Sequence, residues 1–169
     1  MFAILGVVLA IVAVQVYRTV GDLFDANGWV NHTYQVKEQI VATVAALRDA
    51  EAAQRAYLIG GNATRLTESY AALPRLAQHM TELQRLVTDN PAQIENARNF
   101  ETILAQRKDL MVQSLATYQK MGLQDYRSNP QLAVALEQDT QVDALAGRMI
   151  ALEDTLLARR QQSSEAPVR

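Results

Sequence analysis

The chain has 169 residues and a formal net charge of −2, from 16 Lys and Arg against 18 Asp and Glu. That length suffices for one domain with its own core, and the scattered basic residues argue against a nucleic-acid partner. Cysteine is absent, which excludes disulfides, thiolate nucleophiles and cysteine-ligated zinc, and the few glycines (7) and prolines (4) favour helix.

Phe2 to Val14 is wholly apolar or glycine, and Gln15 is the one polar residue before Tyr17 and Arg18. A membrane-spanning helix needs roughly 17–25 such residues. The run is short for that, so a membrane anchor over residues 1–20 is expected, in a span that begins upstream of Met1. A signal-peptide core or a buried helix is the alternative. Nothing basic precedes the run, and Val14-Gln15-Val16 makes a poor cleavage site, which disfavours a removable leader. The positive-inside rule then expects Lys or Arg upstream and the rest of the chain outside the cytoplasm. Asp25-Ala26-Asn27-Gly28 is a turn signal. It reads either as a boundary between anchor and domain or as a weak spot in one long helix.

From Trp29 the pattern is helical. Val30, Thr33, Lys37, Ile40, Val44, Leu47, Glu51, Gln54 and Leu58 alternate steps of three and four, which is one helix face. Gly60-Gly61 stops it. Glu51 and Gln54 thus fall on an apolar seam, and two readings stand. Drift from a strict heptad turns Ala50, Ala53 and Tyr57 inward and leaves Glu51 to pair with Arg55 on the surface. Otherwise Glu51 is buried and needs a partner, with Arg48 and Arg55 beside it and Arg107 on the third-helix seam.

A second helix is expected from about Thr64 to Thr88, with Leu66, Tyr70, Leu73, Ala77, Met80, Leu83 and Val87 inward and a kink at Pro74. Asp89-Asn90-Pro91 is a strong boundary, a capping side chain before proline at the first helical position. The third helix runs from Pro91 to about Met121, with Ala97, Phe100, Leu104, Arg107, Met111, Ser114, Tyr118 and Met121 inward, and Gly122 ends it. Ser128-Asn129-Pro130 opens a fourth helix by the same capping device. Its seam is Val142, Leu145, Met149, Leu152 and Leu156, and Arg159-Arg160 closes it. The tail from residue 161 to 169 lacks apolar periodicity and is expected to fray.

Four amphipathic helices of ~25–32 residues, each ~40–48 Å long, follow from this pass. Short links make neighbours antiparallel. The expected fold is all-α: an up-down-up-down antiparallel four-helix bundle over 29–160, preceded by the membrane-anchor helix. Its first and last helices then share the pole nearest the membrane.

No catalytic residue, metal site or cofactor is expected. His32 and His79 are the only histidines, and helical di-metal sites need Glu three residues before each, where Trp29 and Leu76 stand. There is no glycine-rich phosphate loop. Trp29 suits either the membrane interface or the base of the bundle core.

The string Trp29-Val30-x-His32-Thr33, then Val36, then Leu47-x-Asp49-Ala50-Glu51-x-x-Gln54-Arg55-x-Tyr57-Leu58-x-Gly60, resembles the signature of the CHASE domain of the third type. Met149-Ile150-x-Leu152-Glu153 with Leu156-Leu157 and Arg159 resembles the closing helix of that family. Ala56 stands where the family often has glycine, and Asp143-x-Leu145 is a loose match. The resemblance implies an extracytoplasmic (periplasmic) sensory module of a bacterial transmembrane receptor, held in the inner membrane and dimeric. It implies a cytoplasmic histidine kinase, diguanylate cyclase or chemoreceptor output. No ligand set comes with it. Asp49, Glu51, Gln54, Arg55 and Tyr57 form a motif cluster that either specifies the fold or walls a site for an unidentified small molecule or protein. Trp29, His32 and Thr33 form a membrane-proximal motif. The Val142–Leu156 seam packs within the monomer or against a second copy. The other readings are a chemoreceptor-type ligand-binding bundle and a membrane-anchored scaffold without output.

Overall fold

The structure is a computed structural model and describes residues 2–127 and 131–165. Every described element is helical: α1 (Phe2–Gly60), α2 (Ala63–Leu86), a single 3-10 turn (Val87–Asp89), α3 (Pro91–Arg127) and α4 (Gln131–Glu165). The expected boundary at Ser128-Asn129-Pro130 lies outside the described residues.

α1 is one uninterrupted helix of 59 residues, about 90 Å at 1.5 Å per residue. Asn27-Gly28 does not break it. A single turn-favouring pair is a weak local preference, and helix propagates across it from both sides. Among the described residues no helix is long and apolar enough to cross a membrane. The apolar run Phe2–Val14, 13 residues, reaches only about 20 Å against a hydrocarbon core of about 30 Å.

The seam of α1 is buried at Thr33, Val36, Ile40, Thr43, Leu47, Ala50, Gln54 and Leu58, with Glu51 also inside. Lys37 and Val44, expected inward, are half-buried at its margin. The α2 seam departs from expectation in its first half. Ser69, Ala72 and Leu76 are buried, whereas Leu66 and Leu73 are half-buried and Tyr70 and Ala77 exposed. Small side chains let α2 lie close against α1 there, and the Ser69 hydroxyl donates to the Ala50 carbonyl at 2.9 Å. From Met80 through Leu83 to Val87 the expected seam is buried. α2 runs through the exposed Pro74 without ending.

On α3 the seam is Gln93, Ala97, Phe100, Leu104, Arg107, Met111 and Leu115. Ser114 and Tyr118 are half-buried. Gly122 interrupts α3 with φ 82 and ψ 177, a conformation open in practice only to glycine. α4 buries Val142, Leu145, Ala146, Met149 and Glu153. It continues to Glu165, past the close expected at Arg159-Arg160.

Residues from all four helices share one core, with Ile40, Leu47, Leu83, Phe100, Leu145 and Met149 essentially inaccessible. Burying each such side chain contributes roughly 1.5–3 kcal/mol. The links are set locally. Gly61 takes φ 66 and donates to the Tyr57 carbonyl at 2.7 Å, and Asn62 caps α2 through Thr64 N at 2.9 Å. Asn90 caps α3 through Ala92 N at 3.1 Å, ahead of Pro91. Side-chain pairings order the helices along one another. Partner numbers on α4 fall as those on α1 rise (Thr33 with Glu153, Arg48 with Asp143). On α2 they also fall (His79 with Gln39, Ser69 with Ala50). On α3 they rise (Arg107 with Glu51, Met111 with Gln54).

Candidate functional site

Polar side chains interrupt the core at two levels and at one pole. At the upper level Glu51 and Arg107 face each other, both buried. Arg107 donates from Nε to Glu51 Oε1 at 3.0 Å and also from Nη2 to the same oxygen. Arg48 donates to Glu51 Oε2 at 3.4 Å and reaches Asp143 on α4 at 3.0 and 3.1 Å. One carboxylate thus joins α1 to α3, and through Arg48 to α4. A turn further along, Gln54 Nε2 donates to the Met111 carbonyl at 2.7 Å. Glu51 does not take Arg55 as partner, and the surface reading from helix drift fails. The 3-4 spacing of the α1 seam holds through Gln54, so Glu51 stays inside together with Ala50.

At the lower level the Thr33 hydroxyl donates to Glu153 Oε2 at 3.3 Å. Gln93 Nε2 donates to Glu153 Oε1 at 2.8 Å and to the Met149 carbonyl at 2.9 Å. All three side chains are buried, and again one carboxylate ties three helices. Beside it the half-buried Lys37 meets the exposed Asp154 at 2.7 Å.

At the pole below, Asp89 in the turn between α2 and α3 accepts from Arg160 Nη2 at 3.0 Å and lies 3.6 Å from His32 Nε2. The Arg160 guanidinium stands 3.6 Å over the Trp29 ring, and Trp29 meets His32 edge-on at 5.9 Å. Trp29, 38% exposed and outside the core cluster, is a cation platform at the pole and not the base of the core.

The motif cluster divides. Glu51 and Gln54 are inside, Arg55 is exposed, and Tyr57 is half-buried against Tyr118 at 5.7 Å. Asp49 is exposed, 3.9 Å from Arg75, on a shallow groove of about 350 Å³ between α1 and α2 floored by Ala52, Ala53 and Ala56. The membrane-proximal motif splits between the pole (Trp29, His32) and the lower polar level (Thr33). On the fourth helix Val142, Leu145 and Met149 are spent inside this chain, while Leu152 and Leu156 are half-buried. Sequence reasoning missed Gln93 and Glu153 as seam residues. Their signal was spacing: Gln93 stands four before Ala97, and Glu153 four after Met149. Asp89 and Arg160 were read only as end signals, because a contact across 71 positions leaves no local trace.

His79 stands 3.0 Å from Gln39. Among the described residues no three His, Asp or Glu side chains group closely enough to hold a metal ion. The polar seam holds charges against one another and fixes which helix faces which.

Fold and seam define an all-helical domain whose buried polar contacts bind its first and last helices together. The family model of the CHASE3 domain matches residues 26–163, and the chain belongs to that family, whose members are extracytoplasmic sensory domains of signalling receptors. The match contains both motif strings described above. Comparison with curated proteins and with solved structures gave no match.

Proposed function

We propose that the chain is the periplasmic sensor domain of a bacterial transmembrane receptor, an up-down-up-down four-helix bundle joined to the inner membrane at the pole carrying Trp29 and Arg160. It relays its state through α1 and α4 to a cytoplasmic histidine kinase or diguanylate cyclase. The observation that carries this reading is the pole itself. Asp89 holds His32 of α1 and Arg160 of α4 on one carboxylate, so the two helices that leave the bundle do so side by side. The apolar side chains of Leu9 to Val20 are exposed around α1, as expected of a segment whose surroundings are lipid or another helix.

A ligand or partner that prefers one packing of the seam would shift α4 against α1 in height or rotation, by its difference in affinity for the two arrangements. The polar levels at Glu51 and Glu153 give that equilibrium discrete positions, since sliding past either leaves a buried carboxylate without its donors.

The test labels single cysteines introduced into this chain, which has none of its own, in intact cells. A membrane-impermeant maleimide should modify Asp154→Cys and Arg98→Cys from outside. Labelling only after lysis would remove the receptor reading.

A further inference from the structure

The first half of α2 turns its small residues Ser69 and Ala72 to the buried side, against α1. Apolar side chains that the sequence would place inside are thereby left at the gap between α2 and α3. Leu73, half-buried, and Ala77, exposed, stand with Leu76 and Met80 along one wall of a groove there. Leu104 and Ala105 of α3 form the other wall. The groove holds about 220 Å³, less than the ~300–1,000 Å³ of a drug-sized site, so what fits it is small. Met80 gives it an unbranched, polarizable side chain that adapts to the shape of a neighbour.

Three polar side chains border this apolar groove, and two of them are engaged. The Thr81 hydroxyl donates to the Ala77 carbonyl at 3.0 Å. Glu101 accepts from Gln84 Nε2 at 2.7 Å. Lys108 has no hydrogen bond or ion pair among the described residues. It sets one uncommitted cation at the rim, with three donors and no acceptor. A carboxylate is the group that answers it, in a charge-assisted hydrogen bond. Glu101 lies on the same face of α3, about 10 Å from Lys108 along the axis. Its charge bars a second carboxylate on the same molecule.

We propose that the groove between α2 and α3 is a binding site for a small apolar monocarboxylate, with its carboxylate on Lys108 Nζ and its hydrocarbon part between Leu76, Met80 and Leu104. It rests on the receptor reading only for what binding would signal. Leu104 stands one turn before Arg107, which holds Glu51 of α1. Met80 follows His79, which meets Gln39 of α1. An occupant that parts α2 from α3 thus bears on both attachments to α1, and it favours the packing in which the groove is wider.

The experiment uses the full chain in nanodiscs at neutral pH, with methyl-labelled methionine and hexanoate as the probe. The Met80 methyl resonance, assigned by its loss in Met80→Leu, should shift saturably with hexanoate. Hexylamine and adipate should bind at least about tenfold more weakly, and so should hexanoate to Lys108→Gln, the loss of one charge-assisted bond. Lys108→Arg should keep the affinity, and Glu101→Gln should admit adipate. Ala105→Phe, which fills the groove from an exposed position, should abolish the shift while helical content by circular dichroism is unchanged. A shift that grows linearly without saturating, equal binding of hexylamine, or full affinity in Lys108→Gln overturns the proposal. Saturable binding together with maleimide labelling only after lysis would keep the groove and remove the receptor reading. Labelling from outside with no saturable shift would remove the groove alone.

Discussion

Arg107 is one of the few charged side chains in the core, and its value lies in Glu51 being there. Arg107→Met leaves a buried carboxylate without its main donors and should cost about 3–5 kcal/mol in urea unfolding. The double variant Glu51→Leu, Arg107→Met removes both charges and should recover most of that loss, or exceed the parent by about 1–4 kcal/mol. If the double variant is as unstable as the single one, the pair is a stabilising contact in its own right rather than a device for fixing register. On the surface of α2, the Arg85 guanidinium hydrogen-bonds Glu82 and holds its carboxyl below the ordinary value of 4.5. Its contribution to stability is therefore complete above that value and is lost as pH falls through the lower folded one. Arg85→Gln should return the Glu82 titration to the ordinary range, as read by side-chain carboxyl NMR. At this scale the seam was legible in part. Glu51, Gln54 and Arg107 stood at seam spacing in the sequence, but spacing alone could not choose between Arg55 and Arg107. That choice is made by which helix lies opposite.

Helices were legible where large apolar residues recur, and misread where small ones pack. Leu66, Tyr70 and Leu73 suggested a face for α2 that the structure turns aside in favour of Ser69 and Ala72, because close approach to α1 rewards small volume over apolar size. Ser69→Leu should accordingly cost about 1–3 kcal/mol by overpacking, while Ser69→Ala should cost about 1 kcal/mol, the worth of one hydrogen bond. Both are read from urea midpoints. Helix ends were legible where chemistry is local, as at Gly61, Asn90-Pro91 and Gly122. Gly122→Ala should cost about 1–3 kcal/mol, since φ 82 with ψ 177 excludes a Cβ. Asn27-Gly28 shows the reverse error, a turn signal overruled by the helix around it.

For the molecule as a whole, the contacts that matter most join residues far apart in sequence; Arg107 was a candidate partner for Glu51, whereas the Asp89–Arg160 and Gln93–Glu153 pairings left no trace. Asp89, 33% exposed, and Arg160, 24% exposed, are partly solvated, so their pair is worth about 1 kcal/mol or less. Asp89→Asn or Arg160→Ala should hardly move the urea midpoint. Either should nonetheless speed amide exchange in the last turns of α4 and around Trp29, where the pole opens separately from the core.

Continuity of α1 through Asn27-Gly28 means that the helix conveys angle as faithfully as height. One residue inserted after Gly28 would turn everything upstream by about 100° and displace it by about 1.5 Å, whereas seven would return it to within about 20°. A series of such insertions is a protractor. The distance between spin labels at Ala10→Cys and Val41→Cys of one chain should grow by about 1.5 Å per inserted residue with a ripple at the helical period. A jointed connection at that point would give a flat response.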